Sequence, residues 1–353
     1  MNRRLFFKRS CAGTLFLSCP DLWAGEKSER NLQFIFYQVP VEIQDPKVIG
    51  INKLPPRTDV WPAPTLEEAR SSDYDHAAWV KSLNGQWDFH WSPDPESRPV
   101  EFYKPEYSRE GWATIQVPST IERQGFGVSL YTNSTYPFKA APPFVMEEPD
   151  ARYTTYSQRN PVGSYCRTFT VPAGWKGKKI ILHLAGASSG TFVWVNGRKV
   201  GYSQDSRLPA EFVLDEYLVD GENFLAIETY KYCDGSYLED QDYWRFSGLF
   251  RDVFIRAVPE IALWDVYACP EVDLPAKKGR VQLHYTPVNF TPETAKGYSL
   301  SVSVTSPEGV AVVAPGEYEL EALASGFGTG QVLPGIDLGQ VLLWYDEIPV
   351  QYT

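Results

Sequence analysis

The clearest indication of the fold is the stretch Phe192-Val193-Trp194-Val195-Asn196-Gly197-Arg198-Lys199-Val200-Gly201. Residues that favour strands stand on both sides of the Asn-Gly pair. Asn and Gly accept the positive φ angles of a two-residue turn, so the stretch predicts a β-hairpin. In this interpretation the hairpin is scaffold, and so are most of the 11 Trp, which we expect to fill the core.

Short β-rich segments recur upstream and downstream of this hairpin. They are Gln86 to Trp91, Tyr165 to Val171, Lys179 to Leu184, Thr191 to Val195, Phe224 to Tyr230 and Leu249 to Ile255. Short strands between turn signals, with little helical period, predict an all-β fold built as a β-sandwich. A second, immunoglobulin-like sandwich is expected from Pro259, with strands at Val281 to Tyr285, Ser299 to Thr305 and Val310 to Ala314.

The composition is that of a globular protein and excludes one class of ligand. With 353 residues, 43% of them hydrophobic, the chain can bury at least one large core. The formal net charge of -11 argues against nucleic acid, because phosphate binding needs a basic surface. Neither the Cys nor the His residues show the paired spacing of a zinc site.

The amino terminus predicts export. Asn2-Arg3-Arg4-Leu5-Phe6-Phe7-Lys8 looks like a twin-arginine signal, and a short apolar stretch leads to a small-residue cleavage site near Ala24. That stretch is too short to span a bilayer, so we expect no transmembrane segment in the mature chain. We therefore predict a signal peptide over residues 1–24 and a periplasmic or secreted protein; a basic start by chance is the alternative.

Four carboxylates and several aromatic side chains occur together in the run Asp234-Gly235-Ser236-Tyr237-Leu238-Glu239-Asp240-Gln241-Asp242-Tyr243-Trp244-Arg245. It has neither the alternation of a strand nor the period of a helix, so a loop is expected. Carboxylates bind hydroxyl groups or hard cations, and aromatic faces offer an apolar platform. Sugars present both kinds of surface, and the run therefore predicts a sugar-binding loop. A solvated acidic turn is the alternative.

Further motifs surround this run. They are Ser82-Leu83-Asn84-Gly85-Gln86-Trp87-Asp88-Phe89, Val117-Pro118-Ser119-Thr120, Tyr131-Thr132-Asn133-Ser134-Thr135-Tyr136-Pro137, Gly201 to Phe212 and Ser247 to Val253. Together they closely resemble the amino-terminal sugar-binding region of glycoside hydrolase family 2, in particular the large bacterial β-galactosidases. The resemblance extends from about Val48 to Val258. It is weaker from Pro259 to Thr353, with one late match at Leu343 to Pro349.

The resemblance implies a domain organisation. After the signal and an arm over residues 25–47, residues 48–258 are expected to form a galactose-binding-like jelly roll. Residues 259–353 are expected to form an incomplete immunoglobulin-like sandwich, because such a domain takes about a hundred residues and the late match falls before its last strands in the family.

The resemblance also implies that hydrolysis belongs to a following (β/α)₈ barrel, which carries two catalytic glutamates. Such a barrel takes about 250 residues and does not fit in this chain. The Asn-Glu dipeptide of the family's acid/base is absent from the sequence. We therefore expect no barrel, and we expect this chain alone to be inactive while it contributes ligands to an active site for β-D-galactosides.

Two residues are candidates for sugar contacts by resemblance. Asn133 occupies a position where an amide helps to bind galactose, and Asp242 occupies one that contacts sugar hydroxyls and a sodium ion. An amide both donates and accepts hydrogen bonds, and a carboxylate can share its oxygens between a cation and a sugar. For Asn133 alone, a structural role in a turn is the alternative.

A magnesium site is a weaker implication of the resemblance. Glu42, Asp45, Gln204 and Asp234 align with, or lie near, positions that supply oxygen ligands in related β-galactosidases. Hard cations prefer such ligands. Solvated surface residues are the alternative.

The resemblance also implies binding partners. We expect a galactoside or other carbohydrate, a separate or downstream barrel, and homo-oligomers in the full-length family. Two other functional classes stay open: a free-standing carbohydrate-binding module, and an assembly domain that complements a separate barrel chain.

Overall fold

The computed structural model describes residues 39–58, 60–71, 76–147 and 157–353. The predicted signal peptide, residues 1–24, and residues 25–38 of the predicted arm lie outside the described residues.

The described chain is almost entirely β, as predicted. Its strands are β1 (Gly50–Ile51), β2 (Val80–Ser82), β3 (Gly85–Ser92), β4 (Ala113–Val117), β5 (Leu130–Thr132), β6 (Val162–Thr170), β7 (Lys179–Leu184), β8 (Ala187–Ser188), β9 (Gly190–Val195), β10 (Arg198–Ser203), β11 (Ala210–Val213), β12 (Glu222–Tyr230), β13 (Tyr243–Arg245), β14 (Gly248–Leu249), β15 (Val253–Val258), β16 (Ile261–Asp273), β17 (Lys278–Asn289), β18 (Ser299–Thr305), β19 (Ala311–Glu319), β20 (Gly326–Phe327), β21 (Gln331–Val332) and β22 (Ile336–Gln340).

Helical structure is limited to short pieces. The described residues contain one α-helix, α1 (Leu66–Ser71), and 3₁₀ turns. The 3₁₀ turns are Val41–Gln44, Glu122–Gln124, Ala173–Trp175, Asp215–Tyr217 and Asp234–Tyr237. Within the ranges that the structure describes, no helix has the length and apolar character needed to cross a membrane.

Two antiparallel sheets form the first sandwich. The larger has the strand order β1-β10-β9-β12-β6-β3-β4, and the smaller has the order β11-β7-β15-β2. Strands distant in sequence are neighbours in both sheets, as expected of a jelly roll. Every strand ladder of the described residues is antiparallel. A (β/α)₈ barrel needs eight parallel strands, so the described chain contains none.

The core of this sandwich lies between the two sheets. Trp87 and Tyr165 of the larger sheet share one buried cluster with Leu182 and Ile255 of the smaller sheet. The indole nitrogen of Trp87 donates to the carbonyl of Leu83 at 2.8 Å, so this buried polar atom is satisfied. Each large apolar side chain buried here contributes about 1.5–3 kcal/mol. The core therefore fixes the scaffold from which the loops project.

The predicted hairpin is confirmed. Strands β9 and β10 pair with Val195 opposite Arg198, and Asn196 and Gly197 have φ angles of 51° and 80°. The Asn196 side chain also accepts from the backbone N–H of Phe224 at 2.8 Å. This bond ties the turn to β12, and Asn therefore serves both the turn and the neighbouring strand.

One predicted strand is wrong in its extent. Leu249 to Ile255 was expected to form a single strand, but β14 ends at Leu249 and β15 begins at Val253. The two short strands pair with different partners, β8 and β7. Between them, Arg251 donates to the carbonyl of Arg207 at 2.8 Å, which holds the connecting bend against another loop.

The second sandwich starts with a long hairpin of β16 and β17. Strands β20, β21 and β22 pair with β17, while β18 and β19 form a separate two-stranded sheet. Its buried apolar side chains are few among the described residues: Trp264, Tyr285, Val288, Leu323, Leu333 and Ile336. The all-β prediction holds for this region as well, with a smaller core than that of the first sandwich.

A buried charge network joins the two sandwiches. The Glu211 carboxylate accepts from Arg57 at 2.9 Å and from His183 at 2.8 Å, and it forms an ion pair with Arg256. Arg57 also donates to the carbonyl of Trp264 in β16 at 2.9 Å. The Glu211 carboxylate thus holds the smaller sheet and the segment before α1 together, and Arg57 extends the network to the second sandwich.

Candidate functional site

The two residues predicted to bind sugar lie on one two-stranded ribbon. Strand β5 pairs with β13, with Tyr243 opposite Thr132, Trp244 opposite Tyr131 and Arg245 opposite Leu130. Asn133 follows Thr132, and Asp242 precedes Tyr243. Because the strands are antiparallel, the two residues come side by side at the same end of the ribbon.

The prediction that the whole acidic run is a loop is wrong. The acidic run was expected to be a loop throughout, but it begins with the 3₁₀ turn Asp234–Tyr237 and ends in β13. The backbone of the last three residues pairs with β5, which is more than a hundred residues away in the chain. This distant pairing imposes strand structure that the local pattern does not show.

The ribbon has an exposed face and a buried face. Tyr131, Asn133, Asp242 and Trp244 are exposed, while Thr132 and Arg245 are buried. Alternate residues of a strand point to opposite faces, so the four exposed side chains share one face. This face presents an amide and a carboxylate beside two aromatic rings.

Tyr131 and Asp242 interact directly on the exposed face. The phenol of Tyr131 donates a hydrogen bond to the Asp242 carboxylate through Oδ1. This bond raises the pKa of Tyr131 above its ordinary value. Tyr131 was not among the predicted site residues. Its position two residues before Asn133, on the same face of a strand, is the signal that would have found it.

Arg245 holds the ribbon together from the buried side. Its Nε donates to Thr132 Oγ1 at 2.7 Å, and its Nη2 donates to the carbonyl of Gln241 at 2.9 Å. Its guanidinium also pairs with Asp240. Arg245 therefore bonds to the neighbour of Asn133 and to the neighbour of Asp242, and it fixes the spacing between the two. The acid Asp240 belongs to this support.

Two of the four predicted magnesium ligands, Gln204 and Asp234, interact directly with each other. The Nε2 of Gln204 donates to the carbonyl of Val48 at 2.9 Å, and its Oε1 accepts from the backbone N–H of Gly235 at 3.2 Å. Asp234 is buried, and its Oδ1 has no hydrogen-bond partner. Burial raises the pKa of Asp234, and the nearby carboxylate of Asp45 raises it further.

Glu42, the fourth predicted ligand, is held differently. Its Oε1 accepts from the ammonium of Lys199 at 2.8 Å. The described residues contain no cluster of three or more His, Cys, Asp or Glu side chains placed to hold a metal ion. The unpaired buried oxygen of Asp234 and the amide oxygen of Gln204 are donor types that a hard cation takes, whereas the carboxylate of Glu42 is already paired with Lys199.

A family model agrees with the motifs that surround the ribbon. The model for "Glycosyl hydrolases family 2, sugar binding domain" matches residues 80–259. The chain belongs to glycoside hydrolase family 2. The matched range contains the predicted sugar residues Asn133 and Asp242 and the whole β5–β13 ribbon. The resemblance to this family's sugar-binding region is therefore confirmed.

Several curated relatives of this chain are named beta-galactosidases. The beta-galactosidase of Priestia megaterium is 38% identical over 250 residues, which are 70% of this chain and 23% of the relative. The beta-galactosidase of Streptococcus thermophilus is 32% identical over 314 residues, 88% of this chain and 28% of the relative. The beta-galactosidase large subunit of Lactobacillus acidophilus is 38% identical over 236 residues, 65% of this chain and 37% of the relative. The chain spans about a quarter to a third of the length of these relatives.

Solved structures of beta-glucuronidases share the fold. Bacteroides uniformis beta-glucuronidase 2 superposes with a TM-score of 0.59 at 21% identity, over 77% of this chain and 30% of that one. Bifidobacterium dentium beta-glucuronidase, solved with coumarin-3-O-glucuronide, gives a TM-score of 0.55 at 18% identity, over 77% of this chain and 44% of that one. At these identities the likeness shows the architecture of the β-sandwiches.

Proposed function

We propose that this chain is the non-catalytic, sugar-binding part of a β-galactosidase-like hydrolase of terminal β-D-galactosides. The observation that carries the proposal is the placement of Asn133 and Asp242 side by side on the exposed face of the β5–β13 ribbon. An amide donates to and accepts from sugar hydroxyls, while a carboxylate accepts strong, charge-assisted hydrogen bonds from them. Neither group is buried, so both are open to a ligand.

The chemistry of glycoside hydrolysis supports the non-catalytic role. Retaining glycosidases need two carboxyl groups about 5–5.5 Å apart, one to protonate the leaving oxygen and one to attack the anomeric carbon. On the ribbon, the neighbour of Asp242 is the amide of Asn133, which is not a carboxyl group. Asp240, the acid nearest to Asp242 in the sequence, is paired with the buried Arg245. The ribbon therefore supplies binding groups for a reaction carried out by carboxylates of another domain.

Cations are part of the proposal. Asp242 would hold sodium with its exposed carboxylate, and Asp234, Gln204 and Asp45, with Glu42 nearby, would hold magnesium. Magnesium would neutralise the buried carboxylate of Asp234, which has an oxygen without a partner. Adding Mg²⁺ should raise the unfolding temperature of the unmodified chain and should not raise that of Asp234→Asn. Equal shifts in both proteins would reject this magnesium site.

Export is also proposed. The paired Arg3 and Arg4 support a twin-arginine signal and a periplasmic or secreted location. Replacing both by Lys keeps the charge but should retain the precursor in the cytoplasm, because the export receptor reads paired arginines. Unchanged export of the double variant, measured by cell fractionation, would contradict this signal.

Assembly with a separate chain is the second candidate. Two relatives, from Lactobacillus acidophilus and Leuconostoc lactis, are described as large subunits of β-galactosidase. Their description supports a family member that functions with a partner chain, and here the partner would carry the barrel. Restored hydrolysis on mixing this chain with a separately expressed barrel would support the assembly role. A free-standing carbohydrate-binding module would bind sugar without any such gain.

The test of sugar binding compares three proteins by saturation-transfer NMR with methyl β-D-galactoside. The unmodified chain should bind, and Asp242→Asn should bind about tenfold to a hundredfold more weakly because a charge-assisted hydrogen bond is lost. Asp220→Asn is the matched control, since Asp220 is an exposed acid in the turn before β12. Equal losses in the two variants would assign the effect to the general negative field. Hydrolysis of a chromogenic β-galactoside by the purified chain would refute the non-catalytic role.

A further inference from the structure

The exposed face of the ribbon carries more than the two predicted sugar ligands. Tyr131 and Trp244 are directly opposite each other in the β5–β13 pairing. Their ring centroids are 5.6 Å apart with an angle of 55° between the planes. The side chains are 47% and 51% exposed, so each ring keeps a large surface in contact with solvent.

Such exposure is unusual among the tryptophans that the structure describes. Among the described residues, Trp244 and Trp344 are the exposed tryptophans, whereas the others are buried or half-buried. The Trp244 indole is nearly parallel to the ring of Phe246, at 7° and a centroid distance of 6.0 Å. The Tyr131 ring is held by the bond from its hydroxyl to Asp242. Both rings are therefore oriented before any ligand arrives.

We propose that Tyr131 and Trp244 form a second sugar subsite, which stacks on the ring next to the galactose bound by Asn133 and Asp242. Residues two apart on a strand lie about 6.6 Å from each other, which is the scale of one sugar ring. The galactosyl ring at the Asn133–Asp242 pair thus places its neighbouring unit over the aromatic pair. Aromatic faces bind the C–H-rich side of a sugar, while the polar pair binds hydroxyls.

This inference rests on the proposed sugar-binding function. Its ligand class is a β-galactoside with a second ring, as in a disaccharide. A contact with another protein domain is the competing use of exposed aromatic rings. The adjacent amide and carboxylate on the same face favour the carbohydrate, because they are polar groups that a sugar, with mixed hydroxyl and C–H surfaces, can satisfy together with the rings.

The test measures methyl β-D-galactoside and lactose against the purified chain by saturation-transfer NMR titration. Trp244→Ala should weaken lactose binding about threefold to tenfold, the effect of one aromatic contact, and should leave methyl β-D-galactoside unchanged. Trp244→Phe should recover most of the lactose affinity. Trp344→Ala is the matched control, because Trp344 is 62% exposed in the second sandwich, and it should change neither affinity.

Each other outcome has a definite meaning. If Trp244→Ala and Trp344→Ala bind lactose equally well, the aromatic pair is not a sugar subsite and the inference is wrong while sugar binding stands. If Trp244→Ala weakens both ligands alike, the indole belongs to the galactose position and the second subsite is rejected. If the unmodified chain binds neither ligand, the proposed function fails and the inference fails with it.

Discussion

Replacing Arg245 by Met should open the β5–β13 ribbon without unfolding the sandwiches. Met keeps much of the apolar stem of Arg245 but removes its hydrogen bonds to Thr132 Oγ1 at 2.7 Å, the Thr132 carbonyl at 3.3 Å and the Gln241 carbonyl at 2.9 Å. It also removes the cation that pairs with Asp240.

The magnitude follows from the groups that are left unpaired. A buried acceptor without its donor costs about 1–3 kcal/mol, and the buried Thr132 loses the donor to its hydroxyl and the donor to its carbonyl. The unpaired carboxylate of Asp240 adds less to this free-energy cost than a fully buried carboxylate would, because its side chain is 22% exposed. A total of about 3 kcal/mol is expected, which corresponds to about two decades in the opening equilibrium of the ribbon.

Native-state hydrogen exchange of the amides in residues 130–132 and 243–245 measures this opening. Arg251→Met is the matched control, since Arg251 is exposed and donates to the carbonyls of Arg207 and Ala185. The control should change protection of the ribbon by less than tenfold. If Arg245→Met also stays within tenfold of the unmodified chain, the guanidinium does not hold the ribbon and the support assigned to it is wrong.

Other substitutions test the buried ion pairs and close packing of the scaffold and the pKa of a buried glutamate. Glu211→Ala should lower the free energy of unfolding by about 3–5 kcal/mol in urea titrations, because it leaves buried cations without their shared carboxylate; a loss below about 1 kcal/mol would contradict the network. Gly248→Ala should be about 1–3 kcal/mol more destabilising than Gly125→Ala, since both have positive φ but only the first would place its Cβ 2.5 Å from the Tyr165 hydroxyl; equal losses would contradict the close packing. Burial raises the pKa of Glu228 above 4.5, so the folded state holds this proton more tightly and stability should fall as the pH rises from about 4.5 through the raised value. Glu228→Gln should remove that part of the decline in urea midpoints, and an unchanged pH profile would contradict the shift.

Features set by nearby residues were predictable from the sequence. The Asn196–Gly197 turn was predictable because its two positive φ angles are a property of those two residues. The sandwich strands were predictable from short β-rich segments between turns. By contrast, the break after Leu249 depends on which strands lie beside β14 and β15, and the local residues do not contain that information.

The sequence identified residues of the candidate site but not their arrangement in space. Asn133 and Asp242 were identified by resemblance, but their adjacency depends on a strand pairing between distant parts of the chain. The roles of Tyr131 and Arg245 depend on the same pairing, with partners 111 and 113 residues away. Side chains brought together over such separations are invisible to a local pattern.

The division of the ribbon into two faces shows how a small element could carry the proposed sugar-binding site. A two-stranded ribbon is marginally stable by itself, so it needs support from outside. Here the support lies on the buried face, in Arg245 and Thr132, and in the loops around it, where the Tyr237 hydroxyl donates to the carbonyl of Phe144 at 2.6 Å. The exposed face can then present groups chosen for a ligand. Substitutions of Asp242 or Trp244 should therefore change binding with little loss of stability, whereas substitutions of Arg245 should reduce both.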